Sequence, residues 1–198
     1  MPCQDYFTFR SHLCIAFEPL SLNLYEFIKQ NNFAGLSMGL IRRFAQQVSW
    51  FEPEPSVSLA MLDAAGVSPT HCIIDIGGGN SRLVDHLLAR GVSCITVLDV
   101  SAEVIARTRE RLGAAAAPVT WLVADVAGDW TPPTVDLWHD RAVFHFLVDA
   151  ADRTRYVERL YAAVKPGGAA IIATFAQDGP EKCSGLPVVR YAADELAE

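Results

Sequence analysis

Residues 72–91 read CIIDIGGGNSRLVDHLLARG, and the fold turns on them. The apolar run 73–76 carries one acid, Asp75. Gly77, Gly78 and Gly79 follow directly, then Asn80 and Ser81, then Leu83, Val84, Leu87 and Leu88 at helical spacing. This pattern predicts a buried strand, a tight glycine turn, and a helix capped by Asn80 or Ser81. Consecutive glycines let the main chain turn sharply and approach a ligand closely. At the carboxyl end of a strand, such a turn is where open α/β sheets hold adenosine-containing ligands.

Working downstream, the alternation repeats. Residues 93–100 form a second apolar run ending in Asp99 and Val100. Asp99 lies about 20 residues past the glycines, where an acid at a strand tip can accept from both ribose hydroxyls. Ser101 is expected to cap a helix running to about Leu112. A third strand is predicted over 119–124, followed by Asp125 and Val126, and a fourth over 135–139, followed by Asp140 and Arg141. A helix is expected to start at Asp152 with Tyr156, Val157, Leu160 and Tyr161 inward, and to end at Lys165-Pro166-Gly167-Gly168. Residues 169–175 make the fifth strand. Strands alternating with helices predict an α/β, doubly wound, mainly parallel sheet of Rossmann type.

Upstream, Pro53 and Pro55 break the chain, and a short helix over 57–65 leads into the central strand. The domain boundary is expected between residues 48 and 49. Before it, a strand is predicted over 13–17 and helices over 20–30 and about 37–48. Trp50 and Phe51 fit either a lid over the glycine turn or ordinary core aromatics.

The chain has 198 residues, 51% of them apolar, enough for one α/β domain with an extension. No apolar run reaches the about 18 residues that a membrane span needs. Residues 1–20 lack the pattern of a signal peptide, which predicts a cytoplasmic protein. The net charge of -7 argues against a general nucleic-acid surface. Five scattered cysteines without a CxxC pair predict free thiols and no structural metal site.

Glycines alone do not choose the ligand. GGGNS is neither a GxGxxG dinucleotide turn nor a phosphate loop, and it contains no lysine. Together, Asp75, Gly77, Gly79, Asp99, Asp125 and the KPGG turn make residues 49–195 resemble class I S-adenosylmethionine-dependent methyltransferases. The segments WHDRAVFHF and TFAQDGPEKCSGLPVVRY are similar to a thiopurine or type 12-like bacterial subgroup. The resemblance implies S-adenosyl-L-methionine as cofactor and a small-molecule methyl acceptor. It places Asp75, Gly77, Gly78 and Gly79 around the methionine end, Asp99 at the ribose, and Asp125 and Val126 at adenine, and it counts Ser81 and Val100 among the cofactor-binding residues. His139 is expected near the cofactor and as the group that takes a proton. Asp140 is expected to orient a cationic or amine substrate and Arg141 an anionic one. Alternatively, Asp140 and Arg141 pair with each other and cap a helix. His145 reads as a satisfied core histidine. Cys183 reads as a pocket-lining group, since methyl transfer needs no covalent intermediate.

Residues 12–47, HLCIAFEPLSLNLYEFIKQNNFAGLSMGLIRRFAQQ, resemble a different family, the dual-specificity tyrosine-regulated protein kinases. The matching piece in that family is the last small-lobe strand, the hinge and two large-lobe helices. Phe17 would be the gatekeeper and residues 18–20 the hinge. The chain has no glycine-rich kinase loop, strand lysine, HRD or DFG, so no kinase activity is expected. Compared with the methyltransferase pattern, the sheet is expected to be truncated after its fifth strand, leaving an exposed edge and weak or no activity. A non-catalytic S-adenosyl-binding protein and a protein methyltransferase are the alternative readings. The expected assembly is a monomer or weak homodimer.

Overall fold

A computed structural model describes residues 5–9, 12–16, 53–183, 185–192 and 195. The chain divides into two compact units, Met1–Ser49 and Trp50–Glu198. In the first unit, β1 (Asp5–Phe9) pairs antiparallel with β2 (His12–Ala16), with Asp5 opposite Ala16 and Phe9 opposite His12. β2 is the strand expected over 13–17, displaced by one residue. The helices expected over 20–30 and 37–48, the kinase-like hinge, and Trp50 and Phe51 lie outside the described residues.

The second unit is built on one parallel sheet. Its strands are β3 (Cys72–Ile76), β4 (Cys94–Asp99), β5 (Val119–Val123), β6 (Val135–Arg141) and β7 (Val164–Ala173), in the order β5-β4-β3-β6-β7. The chain winds outward from β3 through β4 to β5, then crosses back to lay β6 on the other side of β3. The reversal falls between β3 and β6, the place where doubly wound sheets bind ligands at their strands' carboxyl ends.

Alternation along each strand feeds two cores. Ile73, Ile95, Val97 and Leu137 face α1 (Ser56–Ala64) and α2 (Leu83–Ala89), through Leu59, Leu62, Leu83, Val84 and Leu87. Ile74, Ile76, Leu98 and Trp138 face the opposite layer, which includes Tyr156 and Ala163 of α4 (Ala150–Ala163). α3 (Ala102–Leu112) joins β4 to β5 and starts as expected, with Ser101 Oγ accepting from the Val104 N–H at 3.3 Å.

Four local expectations change. α2 starts at Leu83 with Arg82 as its N-cap residue, although Ser81 Oγ accepts from the Leu83 N–H at 3.0 Å. α4 starts at Ala150 rather than Asp152, because Asp149 Oδ1 accepts from the Ala151 N–H at 2.7 Å and caps it. Its inner stripe is Tyr156, Leu160 and Ala163, at helical spacing; Val157 and Tyr161 are exposed, Tyr161 at 75%. Lys165-Pro166-Gly167-Gly168 lies within β7 instead of ending the helix. Lys165 Nζ there pairs with Asp136 at 2.9 Å, and the Cys72 N–H donates to Asp136 Oδ2 at 2.7 Å. The Cys72 bond, with Lys165 behind it, holds the Asp136 carboxyl below its usual range.

The expectation of free thiols is also corrected. Cys72 and Cys94 are direct register partners at the amino ends of β3 and β4, with Cα atoms 4.6 Å apart, and they form a disulfide. Among the described residues Cys183 remains a free, half-buried thiol. The bridge closes a loop spanning 22 positions. Its reduction is expected to lower stability by about 3 kcal/mol through the entropy returned to the unfolded chain. Urea unfolding with and without a reductant measures this; coincident midpoints would refute it.

Candidate functional site

The glycine turn leaves β3 at its carboxyl end. Gly77 takes a left-handed conformation (φ 68°), and its N–H donates to Leu98 O at 2.7 Å, tying the turn to β4. Gly78–Asn80 makes one short 3-10 turn. A Cβ on Gly77 would fall 2.2 Å from Val143 Cγ2, one on Gly78 2.1 Å from Asp75 Oδ2, and one on Gly79 2.6 Å from Asp99 Oδ2. The three glycines therefore answer three neighbours: the segment after β6, the acid of β3 and the acid of β4.

Asp75 and His139 are register partners across β3 and β6. Asp75 Oδ1 lies 2.7 Å from His139 Nδ1, and His139 Nε2 lies 3.0 Å from Ser58 Oγ on α1. All three side chains are buried. This corrects the sequence expectation for His139. Both its ring nitrogens are engaged inside the fold, so it links Asp75 to α1 rather than reaching for a substrate proton. Asp75 Oδ2 is buried and has no hydrogen-bond partner among the described residues. A buried, unpartnered carboxylate oxygen is costly. It lies against the Gly78 backbone, where a ligand cation or donor would satisfy it.

Asp99 holds the turn from the neighbouring strand. Its Oδ2 accepts from the Gly79 N–H at 3.1 Å and its Oδ1 from the Ser101 N–H at 2.8 Å. Thr108, buried on α3, donates its hydroxyl to Gly79 O. Val100, next along, is 72% exposed and offers apolar surface at the same edge.

Beyond β5, Asp125 is exposed and its Oδ1 accepts from the Ala127 N–H at 2.9 Å. Val126, expected at adenine, packs its side chain into the core. Its side chain is buried, and its carbonyl accepts from Trp130 Nε1 at 3.0 Å and Arg159 at 3.1 Å. Arg155 adds a bond to Ala127 O at 3.1 Å, so α4 clamps the loop that presents Asp125.

Asp140 also departs from its expected role. It points to the face opposite His139 and is fully buried. Oδ1 accepts from the Val143 N–H at 2.8 Å; Oδ2 accepts from the Phe144 N–H at 3.1 Å and the Tyr156 hydroxyl at 2.7 Å. Trp138 Nε1 donates in turn to Tyr156 Oη at 2.8 Å. Asp140 therefore caps the turn after β6 instead of orienting a substrate. Burial pushes its carboxyl up to about 6 despite these donors. Burial, reinforced by Asp140, likewise keeps the Tyr156 hydroxyl protonated and donating. Arg141 closes β6 half-buried, and Ala142 follows in the left-handed region (φ 72°), turning the chain toward Val143 and the glycine turn.

The sequence singles out neither Ser58 nor Thr108, and it marks Tyr156 only as an inner-face residue without a role for its hydroxyl. Each is a polar side chain on an inward helix face, and that position is the one signal that marks them.

Among the described residues no three potential ligands gather as a metal site, and no helix is long and apolar enough to cross a membrane. A parallel sheet with a glycine turn at its switch point and an acid at the tip of the next strand defines a Rossmann-like, doubly wound class. Within it, residues 73–168 match the family described as a methyltransferase domain. The fold agrees. The chain is similar to the Burkholderia thailandensis 1,6-didemethyltoxoflavin-N1-methyltransferase, solved with S-adenosylhomocysteine, with a TM-score of 0.60 and 20% identity over 92% of this chain and 79% of that one. It is also similar to the glycopeptide N-methyltransferase MtfA, with a TM-score of 0.56 and 18% identity over 66% of this chain and 57% of that one.

The kinase likeness is confined to a short piece. It reaches 64% identity over 44 residues with the Drosophila melanogaster dual specificity tyrosine-phosphorylation-regulated kinase 2, 22% of this chain and 6% of that protein. The Arabidopsis thaliana dual specificity protein kinase YAK1 homolog matches at 46% over 68 residues, 6% of its length. The chain thus spans about a twentieth of these kinases and 57% of the glycopeptide enzyme.

Proposed function

We propose that the second unit transfers a methyl group from S-adenosyl-L-methionine to a small-molecule nucleophile. The observation that carries this is the unpartnered Asp75 Oδ2, buried beside glycines that leave room for a ligand's methionine end. An ammonium is the natural partner for that oxygen. Asp99 accepts from the ribose hydroxyls with lone pairs left over from its two backbone bonds, and Val100 and Asp125 meet the adenine. The cofactor supplies an already activated sulfonium methyl, so the chain's own residues have to bind, orient and exclude water. Ser58 and His139 keep the Asp75 carboxylate aimed at the turn. Asp140, Tyr156 and Trp138 hold rigid the segment that touches Gly77.

A small-molecule acceptor is supported by the two structural neighbours, whose names give a glycopeptide and 1,6-didemethyltoxoflavin as what they methylate. Residues 1–48 are in this reading a separate kinase-like segment without phosphoryl chemistry. The protein is read as cytoplasmic, and as a monomer or weak homodimer.

Calorimetry with S-adenosylhomocysteine is expected to show a micromolar dissociation constant. Absence of heat up to millimolar ligand would sink the reading. Binding without label transfer from methyl-labelled cofactor to thiol, amine or hydroxyl probes would reduce the protein to a binding module.

A further inference from the structure

One edge of the sheet borders an open groove that the methyl-transfer site does not use. Among the described residues β5 is an edge strand, hydrogen-bonded to β4 on one side only. Its sequence, Val119-Thr120-Trp121-Leu122-Val123, holds no charge, proline or glycine. Edge strands are ordinarily guarded by such residues, and β7 at the opposite edge carries Lys165 and Pro166. Beside β5 lies a groove of about 520 Å³, walled by α3, the turn after it and β5 itself. Ala106, Arg109, Glu110 and Gly113 supply the α3 wall. They stand at i, i+3, i+4 and i+7, which is one face of a helix. Trp121 supplies the strand wall; its indole N–H donates to Ala116 O at 3.3 Å, and its ring is left as apolar surface. A Cβ on Gly113 would meet nothing within 4 Å, so the groove is open there. Arg109 and Glu110 are exposed, and neither has an ion-pair or hydrogen-bond partner among the described residues. Arg107 and Arg111 of the same helix, by contrast, pair with Glu103 and Asp85.

We propose that this groove is a self-association surface and that its occupant is a second copy of the chain, paired antiparallel along the free edge of β5 about a twofold axis. A twofold contact has to complement itself, since both copies present the same patch. An unpaired cation next to an unpaired anion on one helix face does so. Arg109 of one protomer meets the partner's Glu110, and symmetry supplies the reverse pair. A ligand carrying one charge would leave the other side chain without a partner. The spacing fits as well. α3 packs on both β4 and β5 and so lies over the gap between them. With strands about 4.8 Å apart, joining the two β5 edges sets the two α3 helices about 10 Å from each other, the upper end of the distance at which helices pack. Ala106 and Gly113 give that approach small side chains. Pairing covers the uncharged edge of β5 and fills the groove with the partner's strand and helix flank. Self-association of this kind requires nothing of the methyl-transfer reading.

Sedimentation equilibrium of the full chain, from low to several hundred micromolar, reads the association. A dimer with a micromolar dissociation constant is expected, and amide exchange over residues 119–123 should slow as the concentration rises. Arg109→Glu and Glu110→Arg each set like charges face to face and are expected to weaken the dimer at least tenfold. Both side chains are exposed and unpaired in the single copy, so the unfolding midpoint of dilute protein should stay where it is. Mixed in equal amounts, the two single variants should form a heterodimer at least as tight as the wild-type dimer, because two charges of one sign then meet two of the other. The double variant carrying Arg109→Glu and Glu110→Arg should return the wild-type association within threefold. A chain that stays monomeric at several hundred micromolar would overturn the proposal and leave the groove to a different occupant. A dimer indifferent to both single variants, or single variants that fail to associate when mixed, would put the contact elsewhere and overturn it equally.

Discussion

Gly78→Ala is expected to abolish S-adenosylhomocysteine binding, by a hundredfold or more, and to destabilise the fold by about 1–3 kcal/mol. The added methyl would lie 2.1 Å from Asp75 Oδ2 and 2.5 Å from its Cγ, far inside contact distance. Neither side can yield cheaply. Asp75 is buried and its other oxygen is held by His139 at 2.7 Å, which is held in turn by Ser58. The clash would push the turn out of shape or break that chain. Either event removes the space and the carboxylate of the proposed cofactor site. Calorimetry reads the first effect and urea unfolding the second. In an Asp75→Ala background the folding cost of Gly78→Ala should shrink, since the obstacle is gone; contacting residues couple in this way. Binding by Gly78→Ala within threefold of the wild type would show that the cradle lies elsewhere.

The second large effect belongs to Asp140. Asp140→Ala would leave the Val143 and Phe144 N–H groups and the Tyr156 hydroxyl without their acceptor, all at buried or half-buried positions. Each such loss costs about 1–3 kcal/mol, so a total of about 3 kcal/mol or more is expected. The residue also predicts a pH dependence. Its carboxyl stands at about 6 in the folded protein against 3.8 for an ordinary aspartate, raised chiefly by burial. A raised carboxyl means that the folded state binds the proton more tightly. The associated stabilisation is complete below about pH 3.8 and lost as pH rises through about 6. Relative to Asp140→Asn, which does not titrate, the wild type should gain stability between pH 7 and pH 4, on the order of 3 kcal/mol. Urea midpoints of the two proteins across that range make the comparison. A gap that narrows toward acid would mean that the three donors outweigh burial and that the residue is held ionised.

Much of the second unit is legible from the chain alone, because periodicity and punctuation agree there. Residues 72–76 read as a strand and are one; the glycines turn; Ser101 caps its helix. What escaped depends on partners distant in sequence. Asp140 and His139 are neighbours, and strand alternation sends them to opposite faces, one to Tyr156 and the other to Ser58. Nothing local says that both faces at this point are buried. Val126 was expected at adenine, and nothing local to it says that Trp130 and Arg159 close on its carbonyl and that its side chain is buried. His145 failed in the other direction: its apolar context implied a paired core histidine, yet it is buried and neither ring nitrogen has a hydrogen-bond partner among the described residues. The place of Asp99 was legible, because its distance along the chain from the glycines puts it at the tip of the next strand, where it accepts from the Gly79 N–H.

The Cys72–Cys94 bridge bears on the site in one further way, although it sits at the far ends of its strands. A thiol pair can close only when Cys72 faces Cys94, and that alignment puts Asp75 beside Val97 and Ile76 beside Leu98. Sliding β3 by a single step would turn Asp75 toward the opposite layer and part Gly77 from Leu98. The covalent bond therefore works as an index mark for the whole edge. Once it is made, the two strands cannot be joined out of frame, and the acids at their tips are delivered to the turn in correct alignment each time the chain folds.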